Sequence, residues 1–408
     1  MVNKGYLKAI PFVALAAALA GMFVARAIVS ISMIVMIVYA VVLTDPRKTL
    51  AIFLKDRVLV ALSLIFFAYV LSSIHSTEDD AYLMERLRLK LPFLAVPFAF
   101  TAIKKNISPR LFYSFLYYFL ILVIATTIIV VIHYAADFEE INIAYSHGRV
   151  MDTPFNHIRY SLMVCFAIFI AYYLFVVKFS PYFLWERWLI VVGGVYLICV
   201  LHLLAVRSGL VAFYMCIFYL ILNHIFRRRE LKTALLLSTV VLLLPLLAYA
   251  LLPSVKAKIN YMKYDLDQLL LFRNASGLSD GGRIVSIEKG AEIFRENFFF
   301  GTGIGDLKQE MRRKLAQATE DPPDHLLPHN QFVFVASGTG IVGLMIFCFA
   351  ILLPLFNRKN LNNILFVCFY IIIISSFLTE ATLEEQMGTA FYLLFLSLMH
   401  VFNQSENT

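Results

Sequence analysis

Charge is scarce in this chain. Of its 408 residues, 15% are Asp, Glu, Lys or Arg and 61% are hydrophobic, at a mean hydropathy of +0.80; a soluble domain carries about 25% charged residues. That shortage excludes a soluble globular fold and predicts an all-α polytopic membrane protein. Cysteine is also sparse. The five residues Cys165, Cys199, Cys216, Cys348 and Cys368 all fall inside apolar runs, where they read as small packers rather than as disulfide partners or metal ligands. No HExxH spacing occurs, and the HxxxH at 325–329 is broken by a proline. His325 and His329 are four apart, but Pro328 interrupts the turn they would need, so no metal is expected. GTGIGD at 301–306 has no strand before it and no βαβ unit around it; it reads as a turn, and no cofactor is expected. Internal repeats and low-complexity segments are missing, apart from the polar tail NQSENT. The first apolar run, from about Leu7, has no small-residue cleavage site after it and reads as a retained helix.

What remains is a succession of apolar runs. A bilayer core takes about 20 apolar residues per helix, and on that scale twelve spans are predicted near 7–24, 27–43, 57–75, 88–103, 111–135, 159–177, 186–205, 208–226, 232–252, 330–356, 361–378 and 385–402. The loops between them alternate in charge. DPRKTLAIFLKDR, KKNISPR, KFSPYFLWER, RRRELK and NRKN are short and basic, whereas STEDD, ADFEE and TEATLEE are acidic. Short basic loops stay cytoplasmic, so both termini are expected there and the acidic face outside. The net charge of +8 is accounted for by these anchoring loops, and no nucleic-acid partner is expected. The domain reading is nine spans over 1–252, an outer loop over 253–329, three spans over 330–402 and a cytoplasmic tail over 403–408.

The outer loop holds eleven Lys/Arg and eleven Asp/Glu in 77 residues. Loops beyond about 15 residues usually carry function or disorder. Ser279 and Asp280 are candidate caps. Ile284, Ile287, Ala291, Phe294 and Phe298 recur at helical spacing up to Gly301, which predicts an amphipathic helix lying on the outer membrane surface.

The candidate functional residues gather on the predicted outer face. Arg207 interrupts the apolar run LLAVRSGLVAFYMCIF, with no acid within ten positions; at mid-span an arginine would cost about 2.5–3.5 kcal/mol. It is either a snorkelling anchor or a guanidinium held for an anionic ligand. Arg283 follows Gly281-Gly282 at a helix start, where an anion could approach closely; it reads equally as an ordinary surface arginine. His329, directly before the tenth span, is a possible general base near neutral pH or a polar edge residue. In HGRVMDTPFNHIRYS, His147, Arg149, His157 and Arg159 precede the sixth span, and Arg26 and Lys90 add positive charge on the same face. Each reads singly as an anchor; together they could line a basic cavity. Glu384-Glu385 reads as a solvated loop face, since adjacent carboxylates alone do not make a glycosidase pair.

The twelve spans, the long loop between the ninth and tenth, Arg207-Ser208-Gly209 and the order Arg283, GTGIG, HNQF, GTGIVGL together resemble the O-antigen ligase/polymerase superfamily of bacterial inner membranes, most specifically over 200–350. The resemblance implies an enzyme that moves a glycan from an undecaprenyl-pyrophosphate donor to an acceptor hydroxyl on the periplasmic face. It implies His329 as catalytic base, with Arg207 and Arg283 holding the pyrophosphate. Arg26, Lys90, Arg149, His157 and Arg159 carry over less specifically as substrate-binding residues. A metal-independent displacement with inversion is expected, with membrane lipids around it. The acceptor would be lipid A–core for a ligase; a growing glycan (a polymerase) or a periplasmic protein (an O-oligosaccharyltransferase) are the alternatives. Outside the superfamily, twelve spans also suit a secondary transporter or a lipid-linked oligosaccharide flippase, but no matching halves are visible and the polar candidates cluster at one face.

Overall fold

The computed structural model describes residues 4–272, 279–316 and 327–405. Among these the chain is helical, without strands. In order the helices are α1 (Lys4–Val24), α2 (Arg26–Val38), α3 (Pro46–Phe53), α4 (Arg57–Ser73), α5 (Asp80–Ile103), α6 (Pro109–Ala136), α7 (Phe138–Ser146), α8 (His157–Val176) and α9 (Glu186–Leu204). They continue with α10 (Arg207–Leu222), α11 (Leu231–Leu251), α12 (Pro253–Phe272), α13 (Ser279–Glu296), α14 (Leu307–Ala316), α15 (Gln331–Leu352), α16 (Arg358–Asn362), α17 (Ile364–Thr379) and α18 (Gln386–Ser405).

Each of the twelve expected spans coincides with one of these helices. Eight helical segments among the described residues are long and apolar enough to cross a membrane unaided, and α4 and α17 are shorter apolar helices. The other two carry polar groups: Glu85, Arg86, Arg88 and Lys90 interrupt α5, while Thr389, Ser397, His400 and Asn403 punctuate α18. The protein is an all-α polytopic membrane protein.

The chain forms two compact units. The first gathers 1–112, 275–363 and 377–408; the second gathers 113–274 and 364–376. In the first, α4 packs on α5 and α15, and α18 is buried from Met387 to Asn403 and packs on α5. Phe112 stacks on Phe402 with ring centroids 3.9 Å apart. In the second, α8 is buried over most of its length and packs on α9 and α10, and the rings of Phe166 and Phe369 lie 5.0 Å apart.

Two glycine-rich turns lock the first unit together. Gly340 interrupts α15 with φ 67°, and Gly301 has φ 73°. A Cβ at Gly340 would collide with the Phe299 carbonyl, and one at Gly301 would meet the backbone of Gly338 at 2.5 Å, so only glycine lets these two backbones touch. The break frees α15 carbonyls for partners elsewhere: Thr302 N–H donates to Ser337 O (3.1 Å) and Ser72 Oγ to Gly338 O (2.7 Å). GTGIGD is thus a turn, and its Asp306 accepts from the backbone N–H groups of Thr77 and Glu78 at 2.9–3.0 Å.

Among its described residues the segment 253–329 contains three helices rather than one. It contributes α12 to the second unit and α13 and α14 to the first. The apolar periodicity located α13 but not its packed face: Ser286, Gly290 and Ile293 are buried, while Ile284 and Phe298 are 50% and 45% exposed. Gly281 and Gly282 do not precede this helix; they lie in its first turn. The side chains of the expected caps Ser279 and Asp280, and all of His325, lie outside the described residues.

Candidate active site

The site in the first unit is built on the tripeptide His329-Asn330-Gln331, where each side chain has a separate task. Asn330 caps α15, accepting from Phe332 N–H (2.9 Å) and Val333 N–H (3.1 Å) while its amide donates to Leu378 O (3.1 Å). Gln331, fully buried, accepts from Leu383 N–H (2.7 Å) and donates to Glu384 Oε1 (2.8 Å). These bonds strap the turn 378–384 against the start of α15. His329 is left at the rim, about one-third exposed, and its Nδ1 lies 3.2 Å from Glu380 Oε2.

The other oxygen of Glu380 accepts from Arg283 Nη2 at 3.2 Å, and the carboxylate side chain is only 10% exposed. One carboxylate therefore bridges the imidazole and the guanidinium. Their elements are also stitched through the backbone. Ser286 Oγ, fully buried, donates to Arg283 O (2.8 Å) and accepts from His329 N–H (3.1 Å). A carboxylate can only accept, so it holds the imidazole proton on Nδ1 and leaves the Nε2 lone pair as the basic position.

Beneath this rim lies a second, buried carboxylate, and here the expected solvated face at Glu384-Glu385 is overturned. Glu384 is 5% exposed. Its Oε1 accepts from Tyr69 OH (2.6 Å), Lys90 Nζ (2.7 Å) and Gln331 Nε2 (2.8 Å). Lys90 Nζ also donates to Leu383 O (2.6 Å), and Arg86 Nη1 donates to Glu384 O (3.0 Å). Burial alone would raise the Glu384 pKa, but the Lys90 and Arg86 cations outweigh it and hold the carboxyl below its ordinary value. Lys90 is 1% exposed; its ammonium is committed to this turn rather than standing on an open basic surface. Arg26, also in this unit, has an exposed side chain, and its carbonyl accepts from Gln386 Nε2 (2.9 Å).

Arg207, Arg149, His157 and Arg159 belong to the second unit. Arg207 is the first residue of α10, after a sharp turn in which Ala205 adopts φ 50°. Buried hydroxyls hold that turn: Tyr145 OH donates to Leu204 O (2.9 Å) and Ser254 Oγ to Leu203 O (2.9 Å). Ser208 Oγ is buried without a hydrogen-bond partner among the described residues. Asn156 caps α8 through Ile158 N–H and Arg159 N–H, which places His157 and Arg159 in its first turn; His157 is half-buried and Arg159 buried. Arg149 is exposed, just past α7.

An oriented imidazole beside a paired guanidinium, on a helical membrane scaffold, defines a class of protein able to take a proton from a hydroxyl next to an anionic group. Residues 192–348 match the family model described as O-antigen ligase. That part of the chain is an O-antigen ligase domain, which supports the O-antigen ligase superfamily. No curated protein matches it significantly. The matched segment includes Arg207, Arg283 and His329, while Glu380 and Glu384 lie beyond it. At the level the family defines, the protein is a membrane ligase that transfers glycans, with a lipid-linked glycan donor and a glycan acceptor.

Sequence reasoning missed Glu380. It sits 51 positions after His329, in a loop whose composition, TEATLEE, reads as a solvated acidic face. The signal available was its place directly after an apolar span, opposite a histidine directly before another.

Proposed function

We propose that the protein transfers a glycan from an undecaprenyl-pyrophosphate donor to an acceptor hydroxyl on the periplasmic face of the bacterial inner membrane, with lipid A–core as the acceptor. The observation that carries the reading is the Glu380 carboxylate shared between His329 and Arg283. With Nδ1 protonated against Glu380, Nε2 takes the proton from the acceptor hydroxyl as its oxygen attacks the anomeric carbon. The bond from that carbon to the pyrophosphate oxygen breaks, its electron pair leaves with undecaprenyl pyrophosphate, and configuration inverts. Glu380 stabilises the imidazolium that forms. Arg283 gives one N–H to Glu380, and its remaining donors suit the pyrophosphate oxygens, where negative charge grows. Arg207 has a donor-binding role by family resemblance. Cationic side chains then supply the charge stabilisation that a divalent ion gives elsewhere, so the reaction proceeds without metal.

Purified protein given lipid-linked donor and lipid A–core, in the presence of EDTA, should form glycosylated lipid A–core and release undecaprenyl pyrophosphate in equal amounts. His329→Ala should abolish both while the protein stays folded in the membrane. Full activity of that variant removes the proposed base. Transfer only onto a second lipid-linked glycan would make the protein a polymerase, and absence of pyrophosphate release would leave only a transport role.

A further inference from the structure

The second unit contains a cavity of about 750 Å³ between α7 and α12, within the size range of ligand pockets, roughly 300–1,000 Å³. Among the described residues its lining combines aromatic and polar side chains, Asn142, His147, Lys256, Asn260, Tyr261 and Tyr264, with Pro253 and Ala257 beside them, and holds no carboxylate. A lipid tail would want aliphatic walls. Phenol rings beside amides and an imidazole instead suit a sugar, whose C–H face stacks on an aromatic ring while its hydroxyls exchange hydrogen bonds with planar polar groups.

The platform is preset. Tyr261 lies against Gly148, which adopts φ 82° and where any Cβ would collide with the phenol ring. Lys258 Nζ sits 5.5 Å over the same ring and donates to Gly148 O (3.3 Å). Tyr264 stands beside Tyr261 with centroids 6.4 Å apart and its own side chain exposed. His147 Nδ1 lies 2.9 Å from Ile143 O; a carbonyl only accepts, so Nδ1 carries the proton and Nε2 remains an acceptor.

The walls of this cavity are also joined to the turn that presents Arg207. Tyr145 of α7 donates to Leu204 O, and Ser254 of α12 donates to Leu203 O. From that continuity we infer that the α7–α12 cavity is a saccharide subsite, holding the glycan chain of the lipid-linked substrate while Arg207 faces its pyrophosphate end. The inference rests on the glycan-transfer reading above and names where the sugars of that substrate lie.

The test uses the full chain in detergent and, as probe, the oligosaccharide released by mild acid from the producing cells' own lipid-linked glycan. Saturable binding is expected. Tyr264→Ala and Asn260→Ala should each raise Kd fivefold or more, and Tyr264→Phe should stay within twofold because the ring is kept. Lys263→Ala, an exposed position of α12 outside the cavity, should also stay within twofold. No saturable binding to the parent chain, an unchanged Kd in Tyr264→Ala, or displacement of the saccharide by phosphatidylglycerol vesicles would overturn the subsite. Binding without transfer in the donor–acceptor assay leaves the subsite standing and sinks the transfer reading; transfer without saccharide binding does the reverse.

Discussion

His329 is distinguished from any rim histidine by what stands behind it. Glu380 at 3.2 Å from Nδ1 fixes the tautomer and the ring plane, and replacing a carboxylate that orients a metal-bound histidine in the same way typically costs about 10–100-fold. Glu380→Gln keeps the shape and loses the charge, so kcat for transfer should fall roughly ten- to a hundredfold with little change in melting temperature; an unchanged kcat would make Glu380 a structural residue only. Glu384 should behave in the opposite way. Glu384→Gln leaves Lys90 buried without its counter-charge, at a cost of about 3–5 kcal/mol, read as a large drop in melting temperature. Because the Glu384 carboxyl is held below its ordinary value near 4.5, its contribution is fully present above that value and is lost as pH falls through the folded one. Thermal stability should therefore change little between pH 7 and 5 on its account and fall under stronger acid, with the acid-dependent part missing in Glu384→Gln. Neither glutamate declared its role in the sequence. Arg207, Arg283 and His329 stand out because they interrupt or border apolar runs, whereas Glu380 and Glu384 share one acidic heptapeptide and differ only in which partners the fold brings to them.

At the scale of elements, the site depends on how α15 begins and where it breaks. The apolar run of α15 was legible as a span, and so was the turn character of GTGIG at 301–305. Their mutual contact was not, because it is made by backbone atoms of glycines far apart in sequence, which leave no pattern in hydropathy. Gly340→Ala puts a side chain where φ is 67° and the Phe299 carbonyl is in the way. Backbone strain of this kind costs about 1–3 kcal/mol, and displacement of 299–302 should add to it. The expected outcome is a lower melting temperature together with loss of transfer, since the helix carrying His329 at its start shares this contact. An alanine variant as stable and active as the parent would mean that the two turns separate freely.

For the whole molecule, the all-α membrane fold follows from composition and run length, and every expected span has its helix. What run length could not convey is why α5 and α18 fall short of a simple apolar span: Lys90 and Arg86 in α5 turn inward to Glu384, and His400 in α18 lies 3.0 Å from Asp56 Oδ1. Those three side chains are internal partners, whereas Glu85 and Arg88 of α5 are exposed. Orientation is a separate matter, predicted by charge alone. The loops at 45–57, 104–110, 178–187, 227–232 and 357–360 are short and basic, and lysine and arginine in such loops resist translocation. Alkaline phosphatase, active only after export, should therefore be active when fused after Glu140 and inactive when fused after Arg229 or Asn403; a green fluorescent protein fused at the last two positions should be bright. The sites containing His329 and Arg283 would then face the periplasm, where a polyprenyl-pyrophosphate donor already carries its own leaving group and no nucleotide is needed. Phosphatase activity at the Asn403 junction would invert the whole chain, turn those residues toward the cytoplasm and remove the physical reason for a lipid-linked donor.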